Sequence, residues 1–428
     1  MGAPQIYKKT SGAATTAKGC ISQTRVLYST HRMLSFEDAR KKILQFIQPL
    51  ASESIPLEAA LNRVLAVDVV AQEDIPPFDN SSMDGFAVRA AEVKPGVPLP
   101  VHSEIPAGES RPDALQTGSA VRIFTGAPMP EGADAVVEIE LVEERNGCMI
   151  PSQSIAAGRS IRRKGEDVKA NERVMQRGER LSAAHLGLLA SIGVPSIEVH
   201  RIPRVGIVTT GNELLPFTAP LTPGKIRNSN AITLSALVAT NFCQPRNCGV
   251  AQDSEAEIRA RIVEGLQCDA LVTSGGVSVG KYDLVLTAAE AVGIRILFWK
   301  VNIKPGRPFA FGIFENRVPV FFLPGNAVSS SITFLQLAKP GIERLSGVSA
   351  DLPVPLFAML EHEIKKPDDK RHFSRGIVRS EGGVLFVRMT RSQSSGGLSM
   401  LTKANCLAVL PENVHDFNIG DRLEIQLL

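Results

Sequence analysis

The chain has 428 residues, of which 44% are hydrophobic and 21% are charged, with 28 prolines and 35 glycines. This length exceeds what one core supports, since hydrophobic cores stop growing near about 250–300 residues, and the composition excludes a chain that is disordered throughout. The formal net charge is +3, but residues 1–36 hold five Lys and Arg and no acid, so the remainder has 42 basic against 44 acidic residues, which excludes the global basic field typical of nucleic-acid-binding proteins.

Six cysteines are scattered along the chain without a C-x-x-C pair. This spacing argues against a zinc site or a disulfide framework and favours a reducing compartment, which we expect to be the cytoplasm. The longest apolar runs, such as Val318–Leu323, are of strand length and fall short of the roughly 20 residues that span a bilayer. We therefore expect no membrane association.

Residues 1–32 are rich in Ser, Thr, Ala and basic residues, and they contain neither an acid nor the apolar segment of a secretory signal. This composition is typical both of an organelle transit peptide and of an extension upstream of a start codon at Met33. Under either interpretation, we expect a dispensable N-terminal extension that holds no catalytic residue.

The first predicted helix follows Ser35, which with Asp38 resembles a capping box, and apolar residues then recur at helical spacing as far as Pro49. A short helix, a strand and a loop of turn-forming residues are predicted next, at Leu57–Arg63, Leu65–Val70 and Ile75–Gly85.

From about residue 86 to residue 164, short strands alternate with turns, including Val121–Phe124, Ala135–Ile139 and the turn at Asn146-Gly147. This pattern predicts a small all-β domain. A helix returns at Ser182–Ile192. We assign residues 51–164 to the β domain, and residues 33–50 together with 165–200 to a discontinuous helical linker domain.

Residues 201–349 alternate strands with helices, which predicts a doubly wound, mainly parallel α/β domain. The principal predicted strands are Arg204–Thr209, Ala270–Thr273, Ile296–Trp299 and Pro319–Leu323, and the helices are Ala231–Asn241, Ser254–Gln267, Leu284–Val292 and Ser331–Ala338. A loop is expected between the last two strands. The short strands of residues 350–428 predict a C-terminal β barrel.

Three loops of the α/β domain have unusual composition. Thr209–Glu213, Ser274–Gly280 and Leu323–Asn326 each follow a predicted strand, and the carboxyl ends of parallel strands meet at one edge of a sheet. Their glycines can expose backbone N–H groups to oxyanions. None is a P-loop, because no Gly-Lys-[Ser/Thr] follows, and the spacing of the second loop is not that of a dinucleotide fingerprint.

Charged residues accompany these loops. Lys300, Lys304 and Arg307 lie in a loop stiffened by proline, which suits either a solvated edge or the positioning of a small dianion. The carboxylates Glu213, Asp253 and Asp283 come near the same edge, and carboxylates beside phosphate-binding loops commonly hold Mg²⁺. Asp283 could equally cap the following helix.

Three further motifs lie in the β region: Pro76–Ala87, Arg122–Pro130 and Ile161–Asp167. Together with the loops above and Lys304-Pro305-Gly306, they occur in the same order in the MoeA family of molybdopterin molybdenumtransferases, to which the gephyrin E domain is similar. The resemblance extends from about residue 33 to residue 428. One departure is Ala327, where the family usually has a proline after Pro324-Gly325-Asn326, and losing that fixed φ should loosen the turn.

The resemblance implies a transferase that inserts molybdate into adenylyl-molybdopterin, releasing AMP and molybdenum cofactor, with Mg²⁺ as cofactor. It also implies a four-domain homodimer in which the β domain completes the partner's active site. Transient contacts with the molybdopterin adenylyltransferase and with molybdoenzymes are expected, and none with nucleic acid. Two alternatives are the adenylyltransferase itself, which would need only the α/β domain, and a scaffold, which need not keep the carboxylates together.

The resemblance also assigns residues. Catalytic positions correspond to Asp84, Thr125, Asp167, Glu213 and Asp283, and Mg²⁺ ligands correspond to Glu213, Asp253 and Asp283. Substrate-binding positions correspond to Arg162, Ser274, Gly275, Gly276, Ser278, Lys300, Lys304, Pro305, Pro324, Ser329, Arg375 and Ser395. For the molybdate contacts, Arg371 is an alternative to Arg375, and Ser394 is an alternative to Ser395.

Overall fold

The fold is described from a computed structural model covering residues 33–108, 113–277, 284–349 and 354–428. Ser278 and Asp283, and the extension of residues 1–32, lie outside the described residues. Among the helices of these ranges, none combines the length and the apolarity needed to cross a membrane.

Residues 33–200 form one α-helix near each end and a series of short strands between them. In chain order these are α1 (Phe36–Phe46), β1 (Ser52–Pro56), β2 (Val69–Val70), β3 (Asn80–Ser81), β4 (Gly85–Val88), β5 (Leu99–Ile105), β6 (Ala120–Ile123), β7 (Ala135–Glu138), β8 (Val142–Arg145), β9 (Cys148–Pro151), β10 (Ile161–Arg162), β11 (Arg173–Met175), α2 (Ala183–Ser191) and β12 (Ser196–His200).

The linker domain differs from its predicted boundaries and composition. β1 pairs with β12 and β2 pairs with β11, so residues 51–76 pack with residues 168–200, and the assignment of residues 51–76 to the β domain was wrong. This unit is built mainly from short strands around a core of its own, with α2 as its α-helix. The predicted helix Leu57–Arg63 is a single 3-10 turn, Leu57–Ala59.

Helix α1 packs on the α/β domain rather than in the linker domain. The Ser35 side chain caps it by accepting from the Asp38 amide at 3.1 Å. Ala39 and Ile43 are fully buried in the core of the α/β domain, because the apolar stripe of the helix faces that core.

Residues 80–162, hereafter the β domain, form a six-stranded sheet of order β7-β4-β6-β5-β9-β8. Its two faces carry separate apolar clusters. β3 pairs with β10 beside this sheet. The predicted turn at Asn146-Gly147 joins β8 to β9, and both residues have the positive φ that a tight hairpin requires.

Residues 201–349 contain strands β13 (Arg204–Thr210), β14 (Leu214–Leu215), β15 (Ile226–Arg227), β16 (Gln244–Ala251), β17 (Ala270–Ser274), β18 (Ile294–Trp299), β19 (Ile303–Lys304), β20 (Ala310–Phe314) and β21 (Val318–Leu323). The helices are α3 (Ser229–Thr240), α4 (Glu255–Gly265), α5 (Leu284–Ala291), α6 (Ala327–Thr333) and α7 (Lys339–Leu345), and α6 and α7 are joined by a π turn, Phe334–Ala338.

The central sheet has the order β16-β13-β17-β21-β20-β18, and its first four strands are parallel. The predicted doubly wound, mainly parallel fold is confirmed, with apolar clusters on both faces of the sheet. One detail was wrong, because the expected loop before β21 contains strand β20, which is antiparallel to both of its neighbours.

The C-terminal residues form β22 (Leu356–Leu360), β23 (Ile364–Lys365), β24 (Arg371–Glu381), β25 (Val384–Met389), α8 (Leu398–Leu401), β26 (Cys406–Leu410), β27 (Asp416–Phe417) and β28 (Arg422–Leu427). β24, β25, β22, β28 and β26 pair in that order, and β26 returns to pair with β24, so the predicted barrel is closed. β19 pairs with β24 and thereby joins the α/β domain to the barrel.

Candidate active site

Three loops meet at the carboxyl edge of the central sheet, namely Thr209–Glu213, the described part of Ser274–Gly280 and Leu323–Asn326. Together they form what we call the crevice. They follow the neighbouring parallel strands β13, β17 and β21. The Gly275 amide donates to the Leu323 carbonyl oxygen at 3.1 Å. A Cβ atom on Gly275 would lie 2.5 Å from the carbonyl oxygen of Thr210, and its φ is +107°. Only glycine therefore fits where the first two loops touch.

An asparagine that the sequence analysis missed ties two of these loops together. Asn230, in the first turn of α3, donates from Nδ2 to Ser274 Oγ at 2.9 Å and to the Gly325 carbonyl oxygen at 2.7 Å. Ser274 Oγ in turn donates to the Pro324 carbonyl oxygen at 3.1 Å. The signal in the sequence is weak, because Asn228 and Asn230 resemble an ordinary helix start, and Asn228 does cap α3.

The Thr210 hydroxyl group lies where the first two loops of the crevice touch. Thr210 is buried, and its Oγ1 makes no hydrogen bond among the described residues. Cβ atoms built on Gly275 and Gly276 would approach this oxygen to 2.6 and 3.2 Å. Because buried polar groups are normally paired, this hydroxyl is available to a bound group.

Two of the three predicted metal ligands lie on adjoining loops. The Asn212 amide donates to Asp253 Oδ2 at 3.2 Å, and the Asp253 amide donates to Asn212 Oδ1 at 2.9 Å. The carboxylate of Glu213 folds back against Gly211. Within the described ranges, no three His, Cys, Asp or Glu side chains cluster as metal ligands do. Two carboxylates and substrate oxygens are nevertheless the ligands that Mg²⁺ prefers, so the residues fit this ion.

The two predicted lysines are directed differently. Lys300 Nζ lies 3.9 Å from the centre of the Trp299 ring, a cation–π contact that holds the side chain along the ring. Lys304 Nζ lies 3.8 Å from Asp368 Oδ2 in the C-terminal domain. Burial alone would raise the pKa of Asp368, but hydrogen bonds from Lys370 and His372 hold that pKa well below its usual range.

The residues predicted to bind molybdate from the C-terminal domain are not equally accessible. Arg375 is 1% exposed, and its side chain donates to the carbonyl oxygens of Ser392, Ser394 and Gly397. Ser395 is half-buried, and its Oγ accepts from Asn326 Nδ2 at 3.2 Å. Three of its N–H donors are therefore bonded to the loop after β25, and contact of Arg375 with a bound oxyanion stays a prediction.

The other predicted site residues near this face also differ in how accessible they are. Ser329 and Pro324 are buried at the start of α6 and at the end of β21, and Pro305 is half-buried after β19. Arg371 forms ion pairs with Glu37 and Glu412, which makes it a link between α1 and the barrel.

The β domain presents a second group of candidates. Asp84 Oδ1 accepts from the Thr125 amide and from Thr125 Oγ1, both at 2.8 Å. Hydrogen bonds from the Thr125 amide and then its hydroxyl lower the pKa of Asp84. Arg162 and Asp167 are exposed on β10 and on the loop after it. The structure thus brings Asp84 and Thr125 together, and their hydrogen bonds stay within the β domain.

Family models match almost all of the described chain. The model of the MoeA N-terminal region (domain I and II) matches residues 34–193, that of a probable molybdopterin binding domain matches residues 206–344, and that of the MoeA C-terminal region (domain IV) matches residues 358–428.

Similar proteins cover most of the chain as well. A molybdopterin molybdenumtransferase of Haemophilus influenzae is 37% identical over 401 residues, which is 92% of this chain and 98% of the relative. One of Bacillus subtilis is 33% identical over 402 residues, or 92% and 93% of the two chains. The crystal structure of a molybdopterin biosynthesis moeA protein from Pyrococcus horikoshii OT3 has a TM-score of 0.80 and 30% identity, covering 93% of this chain and all of the other.

Proposed function

This chain belongs to the MoeA family of molybdopterin molybdenumtransferases, and from that membership we propose that it inserts molybdate into adenylyl-molybdopterin, releasing AMP and molybdenum cofactor. The observation that carries the proposal is the crevice, where three glycine-containing loops meet and the carboxylates of Glu213 and Asp253 contact the first of them. The enzyme is a transferase of molybdenum cofactor biosynthesis.

The residues of the crevice bind and orient the substrate. The glycines let the phosphate oxygens approach the backbone, and the Thr210 hydroxyl supplies a donor that no described residue uses. Lys300 and Lys304 supply positive charge at the end of β18 and on β19. Such groups stabilise charge that develops on the departing phosphate because they are already in place when the reaction begins.

Glu213 and Asp253 would hold Mg²⁺, together with Asp283 as the family resemblance implies. The ion would neutralise charge on the pyrophosphate and so favour departure of AMP. Two contacts support this: the Asn212 amide donates to the Asp253 carboxylate, and the Asp253 amide donates to Asn212 Oδ1, so the two loops are held together.

The active protein is proposed to be a cytoplasmic homodimer in which Asp84, Thr125, Arg162 and Asp167 complete the crevice of the partner subunit. Two features support this. The side chains of Asp84 and Thr125 bond to each other and remain exposed at the end of the sheet, and Arg162 and Asp167 are exposed as well.

The test is AMP release from adenylyl-molybdopterin, measured with and without added molybdate. We expect release to depend on molybdate and on Mg²⁺. AMP release that does not depend on molybdate would exclude the insertion reaction. Formation of adenylyl-molybdopterin from ATP would favour the adenylyltransferase alternative. Absence of any turnover by the folded dimer would favour a scaffold.

A further inference from the structure

Asn230 uses both of its side-chain N–H groups within the protein. It lies in the first turn of α3, and its Nδ2 atom donates to Ser274 Oγ at 2.9 Å and to the Gly325 carbonyl oxygen at 2.7 Å. Because an amide nitrogen of this kind carries two N–H groups, neither of them is left for a further acceptor. The donors of this half-buried side chain therefore join the second loop of the crevice to the third.

These two loops meet where neither of them has a side chain. A Cβ atom built on Gly325 would lie 3.4 Å from Gly275 Cα, so the two backbones pack directly against each other. The Gly275 amide donates to the Leu323 carbonyl oxygen at 3.1 Å. Since glycine has no side chain, further links between the loops must come from neighbouring residues.

Ser274 completes the link that Asn230 begins. The Ser274 hydroxyl group donates to the Pro324 carbonyl oxygen at 3.1 Å, while its oxygen accepts from Asn230 and lies 3.2 Å from Ser330 Oγ. A hydroxyl group has one proton to donate and two lone pairs that accept. Asn230 occupies one lone pair and so helps to direct the proton to Pro324. Loss of Asn230 would remove the bond to Gly325 and also release the Ser274 hydroxyl group.

The helix that carries Asn230 is anchored to the first loop of the crevice. The Asn228 side chain caps α3 by accepting from the Ala231 amide at 3.1 Å, and its Nδ2 atom donates to Thr209 Oγ1 at 2.8 Å. Thr209 begins the first loop. The start of α3 therefore contacts all three loops through two asparagine side chains, which gives Asn230 a fixed base.

We propose that Asn230 is a positioning residue that sets the spacing between the second and third loops of the crevice, acting through Ser274 and Gly325. Its effect on catalysis rests on the proposed function, which makes these loops a phosphate-binding surface, whereas its effect on the loops does not. A misplacement of about 1 Å near a reacting centre can lower a rate by about a hundredfold, so even a small shift of these loops should be measurable.

Steady-state kinetics of molybdate-dependent AMP release tests the effect on catalysis. Asn230→Ala should raise KM for adenylyl-molybdopterin roughly tenfold and leave kcat within about twofold, because the loops bind the phosphates both before and during the reaction. Asn230→Asp keeps the size of the side chain but has no N–H group to donate, and it should be impaired at least as much. Asn241→Ala is the matched control, because Asn241 Nδ2 donates to the Leu237 carbonyl oxygen at the other end of α3, and its KM should equal that of the unaltered protein.

A double-mutant cycle with Ser274→Ala distinguishes positioning from direct action on the substrate. Because Asn230 acts partly through Ser274, the double variant should lose at least about threefold less in kcat/KM than the product of the two single losses. Losses that multiply would mean that Asn230 acts on the substrate by itself, and they would overturn the proposal. A lower kcat at unchanged KM would overturn it as well, since that result is expected when a substitution only reduces the amount of folded enzyme.

Amide hydrogen exchange at Gly275 tests the loops without any turnover. The Gly275 amide bonds to Leu323 across the contact between the two loops, and it should exchange at least about fivefold faster in Asn230→Ala than in the unaltered protein or in Asn241→Ala. Unchanged exchange would contradict the proposal. Unaltered protein that folds but releases no AMP would refute the proposed function, and the exchange result would still decide the role of Asn230.

Discussion

The crevice and the β domain hold their candidate residues in opposite ways. Ser274 is buried, and its hydroxyl group joins α3 to the turn after β21. The side chains of Asp84 and Thr125 bond to each other and remain exposed. The crevice loops are joined to one another within one chain, whereas the β domain presents a small hydrogen-bonded pair on its surface. The proposed shared site, in which a second subunit supplies the β-domain residues, would account for this difference.

Subunit complementation tests whether Asp84 acts in the crevice of the partner subunit. Of the effects on activity predicted here, we expect this one to be the largest. Asp84→Ala and Glu213→Ala should each lower AMP release by about a hundredfold or more, because each removes a preorganised charge. In the heterodimer of the two variants, one crevice keeps its own Glu213 and receives Asp84 from the partner, so that site should be active. If heterodimers verified by mass spectrometry stay inactive, Asp84 and Glu213 belong to the site of the same subunit. Each variant mixed with itself is the control.

A pair of glycine substitutions measures how tightly the crevice is packed. Gly275 has a φ of +107° and no room for a Cβ beside Thr210, whereas Gly147, in the β8–β9 hairpin, has a φ of +73° and nothing within 4 Å. Both Gly→Ala changes cost about 1–2 kcal/mol for the backbone conformation. Only Gly275→Ala should also lower kcat/KM, by about a hundredfold, because it pushes two loops apart. Equal kinetics for the two variants would show that the crevice tolerates displacement.

A carboxylate in the C-terminal domain gives a smaller, pH-dependent effect. Asp368 accepts from His372 Nε2 at 2.7 Å and from Lys370 Nζ at 2.9 Å, and it lies beside Lys304. Its pKa is lowered in the folded protein, so its contribution is complete above its ordinary value near 3.8 and is lost as the pH falls through the lower folded value. We expect Asp368→Asn to destabilise the barrel by about 1 kcal/mol at neutral pH, after allowance for solvent screening.

Urea unfolding at several pH values checks this prediction. The difference between Asp368→Asn and the unaltered protein should shrink as the pH falls below about 4. Asp369→Asn is the matched control, because the Asp369 carboxylate is exposed and its one ion pair among the described residues is with the exposed His415, at 3.0 Å. This substitution should have little effect at any pH. A difference that persists in acid would mean that Asp368 stabilises the barrel by something other than its charge.

Part of the fold and of the candidate site can be predicted from the sequence. The meeting of the three loops follows from strand order, because parallel neighbours end at one edge, and this needs no knowledge of side chains. The burial of Arg375 could not be predicted, since a guanidinium on an amphipathic strand can point to either face until its loop partners are known. Residues 51–76 were misplaced for a related reason, because β1 pairs with β12 across more than a hundred residues, and short strands carry no signal for distant partners.

The last prediction concerns stability at the turn between β21 and α6. Asn326 has φ −64° and ψ 125°, an extended conformation that a following proline favours. Ala327 is the first residue of α6, where the N–H has no intrahelical acceptor and proline is well tolerated. Ala327→Pro should therefore stabilise the protein by about 0.4–1 kcal/mol, chiefly by restricting the unfolded chain.

The control for this substitution is Ala231→Pro, in the first turn of α3. There the amide donates to Asn228 Oδ1 at 3.1 Å, so proline removes a capping bond and should destabilise by about 1 kcal/mol. Urea unfolding measures the free energy of unfolding of both variants, which we expect Ala327→Pro to raise and Ala231→Pro to lower. A destabilising Ala327→Pro would mean that the turn needs the conformational freedom of alanine at this position. A stabilising effect would instead show that the turn, whose Asn326 side chain and Val328 amide donate to Ser395 of the C-terminal domain, already has a proline-compatible geometry.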